Sequence, residues 1–304
     1  MGQRKILISG GGGLIGRGVS NLLLKKGFTV VHLSRKENLN AEMPSYRWDI
    51  EKKFLDPRAL HGITDVIHLA GAGIADQNWT AQRKQELIDS RVKSAELIFN
   101  SIQSEGIQLH SLIGASAVGF YGASTSDKIY AEKDPPASDF LGTCCKMWEK
   151  SYEAFNNSGI RTVIFRIGIV ISRHGGALAK LAAPVRFGAG AALGSGKQYV
   201  PWIHEKDLHR LFLSAIESQE MSGIYNAVAT EHCTNPQLTK AIAKTLHRPL
   251  LLPNVPGFVL RLTLGERADM ILEGSRVSNN RLLSSGFQFE FPEILPALMD
   301  SLKE

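Results

Sequence analysis

A cluster of glycines near the N-terminus is the part of this 304-residue sequence whose residue types and spacing most directly suggest chemistry. Gly10, Gly13 and Gly16 form the pattern G-x-x-G-x-x-G. Glycine permits a tight turn and lets the backbone approach a pyrophosphate, and the N-terminus of a following helix offers that anion free N–H groups and a partial positive charge. The residues predicted to bind a pyrophosphate are Gly10, Gly12, Gly13, Leu14, Ile15 and Gly16.

The segments around these glycines supply the structural context that such a site requires. Lys5–Ser9 (KILIS) is a short apolar run that reads as a buried strand. The sequence RGVSNLLLKKG then places apolar side chains at helical spacing and ends in Gly27, and residues 28–33 (FTVVHL) read as a second strand. Strand, turn, helix and strand within about 30 residues make a βαβ unit, which favours a dinucleotide site over a merely structural glycine turn.

The end of the second predicted strand indicates which dinucleotide binds. An NAD site places Asp or Glu there to bond the ribose hydroxyls, and that carboxylate would repel a 2′-phosphate. This chain has Ser34 and Arg35 instead, followed by Lys36. Ser34 offers a hydroxyl, and Arg35 offers a planar guanidinium suited to phosphate. We therefore predict NADP(H), with two solvated cations at a strand end as the alternative reading.

The alternation of strand and helix patterns continues along the chain and predicts the fold class. The further predicted elements are strands at 65–69, 109–116 and 161–171 and helices at 81–105 and 143–158. They indicate an α/β fold, a Rossmann-type doubly wound parallel sheet with a smaller C-terminal substrate domain of mixed character. We expect residues 1–170 to form the NADP-binding domain, with parts of 200–230 completing its sheet, and residues 171–304 to form the substrate side.

Composition excludes several classes of function. The formal charge of +6 is spread along the chain in pairs of basic residues, whereas a nucleic-acid surface needs a basic stripe with interleaved aromatics. The adjacent Cys144 and Cys145 lack the C-x-x-C spacing of a zinc or redox site, so no metal is predicted. No signal-peptide core and no apolar stretch of about 20 residues occurs. We expect a cytoplasmic protein that binds neither nucleic acid nor membranes.

Several later segments, together with the glycine turn, resemble the extended short-chain dehydrogenase/reductase superfamily, which includes sugar-nucleotide epimerases and dehydratases. They are residues 65–70 (DVIHLA), the turn at 120–122 (FYG), Arg166, and residues 202–207 (WIHEKD). The tail, with LGERADMILEGSRV at 264–277 and residues 285–295, is similar to one subfamily only. This is the atypical epimerase-like group with a dedicated C-terminal domain of unknown function, some members of which are labelled cell-division-inhibitor-like. The resemblance covers essentially the whole chain and implies that this domain spans about 249–300.

The resemblance implies further cofactor contacts by position. Ser34 and Arg35 would hold the 2′-phosphate, and Val170 would contact the nicotinamide end through its backbone. The adenosine and ribose would be flanked by Leu69, Ala70 and Gly71. Two residues of the long predicted helix match cofactor-side positions, with an exposed helical face as the alternative; they are Glu86 and Arg91.

The catalytic residues are where the sequence departs from the superfamily. Its members use a Y-x-x-x-K pair, in which the lysine lowers the pKa of the tyrosine that exchanges a proton with the substrate. None of the six tyrosines here is followed by lysine four residues later, and the corresponding positions hold Leu141 and Cys145. The remaining candidates for proton transfer are Tyr121, whose alternative role is packing, and Ser116, with Lys146 as a further substitute.

Two hypotheses for function follow from this mixture. The first is an NADP(H)-dependent oxidoreductase or sugar-nucleotide epimerase acting on a small anionic or sugar-like substrate. The residues expected in its pocket are Arg186, Trp202 and His204. The second is a catalytically inactive NADPH-binding sensor or scaffold that signals through its C-terminal domain. By analogy with extended members of the superfamily, the helices at 81–105 and 143–158 would form a homodimer contact.

Overall fold

The computed structural model describes residues 4–303, and its elements are numbered in chain order. The first half contains β1 (Lys5–Ser9), α1 (Leu14–Lys25), β2 (Thr29–Ser34), β3 (Ser45–Asp49), β4 (Phe54–Leu55), β5 (Asp65–His68), α2 (Ala81–Ser104), β6 (Ser111–Ala117), β7 (Ile129–Tyr130), α3 (Phe140–Lys150), α4 (Glu153–Asn157) and β8 (Arg161–Ile167). The second half contains β9 (Ile169–Ile171), α5 (Ala177–Arg186), β10 (Trp202–His204), α6 (Glu205–Glu217), β11 (Gly223–Ala227), α7 (Asn235–Thr245), α8 (Gly257–Leu264), α9 (Asp269–Leu272), β12 (Arg276–Val277), α10 (Asn280–Ser284) and α11 (Ile294–Leu302).

Eight strands form one sheet in the order β11-β8-β6-β5-β1-β2-β3-β4. Its neighbouring strands are parallel except for the antiparallel pair β3–β4 at one edge. The chain runs outward from β1 through β2 and β3 and then returns to place β5 on the other side of β1. This confirms the predicted doubly wound Rossmann-type sheet. The reversal between β1 and β5 opens a crevice at their carboxyl ends, where folds of this kind bind ligands.

The sheet is buried on both faces. Ile6, Leu7 and Ile8 of β1 are inaccessible to solvent, which is why the sequence of this strand is an apolar run rather than an alternation. Helices α1 and α6 pack closely at Gly18, where a Cβ would lie 1.9 Å from a ring carbon of His209. A residue larger than glycine would therefore separate the first helix of the chain from a helix about 190 positions later.

The smaller C-terminal part has its own apolar core and two short strand pairs. β9 pairs with β10, and β7 pairs with β12, both in parallel. Trp202, Leu238, Ile242 and Leu298 are buried together between these strands and the helices α5, α7 and α11. Among the described residues, no helix is both long enough and apolar enough to cross a lipid bilayer.

Two predicted elements are interrupted where tertiary packing demands it. The helix predicted at 143–158 begins earlier, at Phe140, and is divided by Ser151 and Tyr152 into α3 and α4. The strand predicted at 161–171 breaks at Gly168, where a Cβ would lie 2.7 Å from the carbonyl oxygen of Pro201. This close approach moves the chain from the main sheet into the β9–β10 pair.

Candidate functional site

The glycine turn joins β1 to α1 and is shaped by backbone contacts. Gly10 has a φ of +75°, and its carbonyl oxygen accepts a hydrogen bond from the N–H of Gly13 at 3.0 Å. A Cβ on Gly10 would lie 2.9 Å from the carbonyl group of Leu69, and a Cβ on Gly16 would lie 2.2 Å from the oxygen of Gly10. Both positions require glycine because the backbone of a neighbouring segment occupies the space of a side chain.

Gly12 differs from the glycines beside it, because a Cβ on this residue would have no heavy atom within 4 Å. The turn therefore presents open space at this point, directly before the N-terminus of α1. Gly13 caps this helix without a side-chain hydrogen bond, so the first N–H groups remain available to an anion. A diphosphate fits this cradle in shape and charge.

Arg17 adds a positive charge to the turn that the sequence interpretation missed. Its side chain is exposed on the first turn of α1, and its Nε donates to the carbonyl oxygen of Gly12 at 2.9 Å. A basic residue four positions after Gly13 on the same helix is the only signal in the sequence for this contact. Leu14 and Ile15, which precede Arg17, are half-buried.

The end of β2 carries the residues predicted to select the nucleotide. Arg35 is exposed, and with Arg47 of β3 it borders a cavity of about 710 Å³. Ser34 accepts a hydrogen bond from the N–H of Lys36 at 3.2 Å, so its hydroxyl proton remains available for another acceptor. Glu86 also borders this cavity, where it pairs with Arg83 at 2.7 Å. The structure thus brings Arg35 and Glu86 to one cavity.

The segment after β5 forms the facing wall of the crevice. Leu69 and Ala70 are half-buried, and the N–H of Leu69 donates to the oxygen of Ser9 at 3.1 Å. Gly71 lies against Arg91, whose guanidinium carbon is 3.1 Å from the position of a Cβ on that glycine.

Arg91 connects this wall to a second cavity. Its Nη1 donates to the oxygen of Leu87 at 2.7 Å and its Nη2 to that of Ala72 at 3.0 Å. The guanidinium also lies over the ring of Trp148, 4.9 Å from the ring centroid. Because Arg91 and Trp148 both line the second cavity, the helices α2 and α3 meet at its edge.

The second cavity has a volume of about 310 Å³ and a mostly apolar lining. Leu141 and Cys145, which the sequence comparison predicts at the positions of the superfamily's tyrosine and lysine, both face it, as do Ile167 and Leu238. Burial raises the pKa of the Cys145 thiol to about 12, so this group is neutral near pH 7. Neither the Leu141 side chain nor the neutral Cys145 thiol can act in this cavity as a phenol or a cation.

Tyr121 and Ser116 lie behind this cavity, in a buried polar network. The Tyr121 hydroxyl accepts from Nη1 of Arg166 at 2.9 Å and lies 2.7 Å from Oδ1 of Asn226, to which it donates. Ser116 donates to Glu149 at 2.7 Å, and Glu149 pairs with Arg166 at 2.8 Å. Burial raises the pKa of Tyr121 to about 12. This geometry favours the packing role for Tyr121 over proton transfer.

Comparison with known proteins places this arrangement in a family. The model of the NAD dependent epimerase/dehydratase family matches residues 6–227, and that of a domain of unknown function, DUF1731, matches residues 255–301. This chain belongs to the NAD dependent epimerase/dehydratase family. The family resemblance inferred from the sequence is thereby confirmed, including the separate C-terminal domain.

Relatives of this epimerase family match over nearly their whole length. Epimerase family protein Mb2239 of Mycobacterium bovis is 35% identical over 301 residues, covering 98% of this chain and 97% of that protein. Epimerase family protein SDR39U1 of Mus musculus is 33% identical over 300 residues, covering 97% and 99%. The crystal structure of human SDR39U1 isoform 2 with NADPH has a TM-score of 0.86 and 29% identity, covering 97% of this chain and 98% of that one.

The three residues expected in the substrate pocket of an epimerase-family protein lie outside the 310 Å³ cavity. Arg186 is exposed at the end of α5. Trp202 is buried and donates from Nε1 to the oxygen of Glu231 at 3.2 Å. His204 caps α6 by accepting from the N–H of Lys206 at 3.3 Å, and its Nε2 lies 3.1 Å from Oγ of Ser301.

Neighbouring residues of the same segments take the place of these side chains in the cavity wall. Val200 and Pro201 line the cavity instead of Trp202, and Gly168 and Ile169, which precede the half-buried Val170, line it as well. Gln198 and Asn235 also line it, and neither is marked by any motif that the sequence offers. Asn235 is the first residue of α7, and Thr234 is the N-cap of that helix.

Proposed function

We propose that this epimerase-family chain binds NADP(H) and uses it in an oxidoreductase or epimerase-like reaction on a small molecule held in the 310 Å³ cavity. The observation that carries the proposal is the contact of Arg91 with both regions, because it joins the wall after β5 to the mostly apolar cavity. When bound, the nicotinamide would supply or accept a hydride. The human relative SDR39U1, whose structure aligns with 97% of this chain, has been crystallised with NADPH.

Each part of the crevice has a separate task in this proposal. The N–H groups at the N-terminus of α1, the open space at Gly12 and the charge of Arg17 would hold the diphosphate. The adenosine and its ribose pack on the residues that follow β5, which are Leu69, Ala70 and Gly71. The backbone near Val170, beside the cavity-lining Ile169, borders the nicotinamide end.

The preference for a 2′-phosphate rests on charge at the end of β2. Arg35 is exposed there and free to form a charge-assisted, bidentate contact that NADH could not accept. Ser34 retains a hydroxyl donor toward the same phosphate. The carboxylate that would mark an NAD site is missing from this strand end.

Proton transfer in this site follows a different route from that of the Tyr–Lys pair. Among the described residues that line the cavity, Arg91 is the single basic side chain. Its charge would stabilise negative charge that develops on a substrate oxygen, and water would deliver the proton. Tyr121 and Ser116 would support the wall through Arg166 and Glu149 rather than touch the substrate. We expect turnover that is slow by superfamily standards.

A catalytically inactive sensor is the second candidate function. It is favoured by Leu141 and Cys145 in place of the catalytic pair and by the surface of α8 in the C-terminal domain. None of the residues in α8 is buried, and Phe258 and Leu262 are 72% and 86% exposed. Exposed apolar side chains of this size are typical of protein interaction sites.

Nucleotide choice is tested by calorimetric titration of NADPH and NADH. NADPH should bind at least about tenfold more tightly, which corresponds to about 1.4 kcal/mol, because Arg35 pairs with the additional phosphate. Arg35→Ala should bring the two affinities within about threefold of each other, mainly by weakening NADPH. Lys36→Ala removes the adjacent exposed cation and should preserve most of the preference. Equal affinities in the parent protein would refute the assignment.

Measurement of NADPH turnover distinguishes the enzyme hypothesis from the sensor hypothesis. The assay follows NADPH oxidation against quinones, aldehydes, ketones and nucleotide sugars. Oxidation that depends on one substrate class supports the enzyme. A protein that binds NADPH tightly and oxidises it with no member of the panel supports the sensor.

A further inference from the structure

Two amide side chains, those of Gln198 and Asn235, hold the same backbone segment at the wall of the apolar cavity. Oδ1 of Asn235 accepts from the N–H of Leu193 at 2.8 Å. Nε2 of Gln198 donates to the oxygen of Leu193 at 2.9 Å and to that of Ile271 at 3.0 Å. The backbone N–H of Asn235 also donates to the oxygen of Gln198 at 3.0 Å, so the two residues are adjacent.

These contacts determine the orientation of each amide group and therefore which of its two polar atoms has no hydrogen-bond partner. A flipped Gln198 would aim its oxygen at two carbonyl oxygens, and a flipped Asn235 would aim its NH₂ group at an N–H, so neither flip is tolerated. Oε1 of Gln198 is buried and has no hydrogen-bond partner among the described residues. Nδ2 of Asn235 likewise donates to no described residue, and both side chains are at least 95% buried.

The cavity therefore combines a free acceptor on Gln198 and a free donor on Asn235 with a mostly apolar wall. Its other polar or charged lining side chains are Arg91, Trp148, Tyr199, Asp269, Glu273 and Ser275, and Nε1 of Trp148 is also buried without a partner among the described residues. Leu193, Leu238 and Ile271 lie around the two amides. Buried amide oxygens nearly always have a donor partner, so an unpaired one at a ligand cavity points to a donor on the ligand. Specificity is strongest where a buried polar group of the protein needs a matching group on the substrate.

We propose that Gln198 and Asn235 select a mostly apolar substrate carrying a hydroxyl group, which donates to Oε1 of Gln198 and accepts from Nδ2 of Asn235. This assignment rests on the proposed function, because it takes the 310 Å³ cavity to be the substrate site. A hydroxyl group is the simplest group that both donates and accepts. A carboxylate or ketone oxygen has no proton for Gln198 and would face its oxygen.

The same reasoning argues against a nucleotide sugar in this cavity. A diphosphate needs several donors or cations, whereas Arg91 is the single basic side chain among the described lining residues. Two of its nitrogens already donate to the carbonyl oxygens of Leu87 and Ala72.

The proposal is tested by matched ligand pairs titrated into the NADPH-saturated protein. The probes are 2-indanol against indane, 2-naphthol against naphthalene, and UDP-glucose. We expect each alcohol to bind at least about tenfold more tightly than its hydrocarbon and UDP-glucose to bind more weakly than either alcohol. A ratio within about threefold, no binding of either alcohol at millimolar concentration, or tighter binding of UDP-glucose would overturn the proposal.

Two variants and one control locate the effect. Gln198→Met keeps the length of the side chain and should reduce the alcohol-to-hydrocarbon ratio to within about threefold. Asn235→Asp keeps the acceptor for Leu193 but removes the donor, and should reduce the ratio by about threefold or more. Gln103→Met, at an exposed position of α2, should leave the ratio unchanged. Unchanged ratios in folded Gln198→Met and Asn235→Asp would also overturn the proposal.

The design keeps failure of this proposal distinct from failure of the proposed function. NADPH affinity is measured in the same titrations, and its absence would refute the proposed function. The ratio can then still be measured in the nucleotide-free protein. If Gln198→Met does not fold because it loses two backbone contacts, the more conservative Asn235→Asp decides.

Discussion

The glycine turn and the cavity beside α3 are both parts of one crevice, but backbone groups form the turn and side chains form the cavity wall. The turn is made of backbone: Gly10 and Gly16 are held by carbonyl groups that leave no space for a side chain. The cavity is lined by side chains, among them those of Leu141 and Cys145 from α3. The turn therefore tolerates few residue types, whereas the side chains of the cavity wall can change while the backbone of the fold is kept.

The polar residues behind the cavity form hydrogen bonds with one another. Ser116 donates to Glu149, and Tyr121 bridges Arg166 and Asn226, so each is satisfied within the protein. A hydroxyl group that is buried and fully hydrogen-bonded contributes to stability. Its proton already has an acceptor inside the protein, so it is not available to a substrate. Substitutions on the open side of the glycine turn are thus expected to lower the affinity for nucleotide. Substitutions in the polar network behind the cavity are expected to lower the free energy of unfolding.

The largest expected effect tests the open space at Gly12. Gly12→Val should weaken NADPH binding by about a hundredfold or more, which corresponds to about 2.7 kcal/mol, because the branched side chain occupies the volume that a diphosphate needs. The melting temperature of the free protein should hardly change, since a Cβ there meets nothing within 4 Å. Calorimetric titration and thermal unfolding measure the two properties separately.

Gly16→Ala is the matched control for this variant. Its Cβ would overlap the oxygen of Gly10 at 2.2 Å, so the loss should appear in thermal stability before nucleotide is added. If both variants lost affinity and stability to the same degree, the distinction between open and closed sides of the turn would be wrong.

A smaller effect concerns pH and compares two histidines, the buried His68 and the half-buried His209. Burial lowers the pKa of His68, at the end of β5, to about 3 and that of His209, against α1, to about 4. Both are neutral in the folded protein, while the unfolded chain binds protons below about pH 6.5. Stability is therefore lost as pH falls from about 6.5, and His68 alone should account for about 2 kcal/mol at about pH 5.

Urea unfolding of the parent, His68→Gln and His209→Gln proteins at several pH values checks this expectation. Each substitution should flatten the pH dependence of the free energy of unfolding by a similar amount near pH 5. His68 is held between Ser94 and Tyr152 at 2.8 Å on each side, so its replacement should also lower stability at neutral pH. A parent protein equally stable at both pH values would contradict the burial argument.

The smallest effect is expected at Tyr121. Tyr121→Phe should lower the free energy of unfolding by about 0.5–1.5 kcal/mol, because Arg166 and Asn226 each lose a partner. Any turnover should stay within about threefold of the parent, whereas loss of a general acid would lower the rate by about 10²–10⁴. A rate loss of that size in a folded variant would restore Tyr121 as the proton donor.

The sequence predicts the first region better than the second for a physical reason. The turn at Gly10–Gly16 is local, because the strand, the glycines and the helix that form it are consecutive. The cavity is formed by segments far apart in the chain, such as those of Arg91, Leu141 and Asn235. Which residues of the segment at 198–204 face inward depends on the break at Gly168, and nothing in the spacing of apolar residues reveals that break.

The position of β11 at the edge of the sheet, beside β8, governs how the protein can be made. During synthesis, β8 leaves the ribosome with one edge unpaired and must wait for Gly223–Ala227 to cover it. Exposed strand edges of this kind recruit other chains, and pairing over long sequence separations is slow. A fragment that stops near residue 170 would therefore aggregate even though it contains the whole glycine turn.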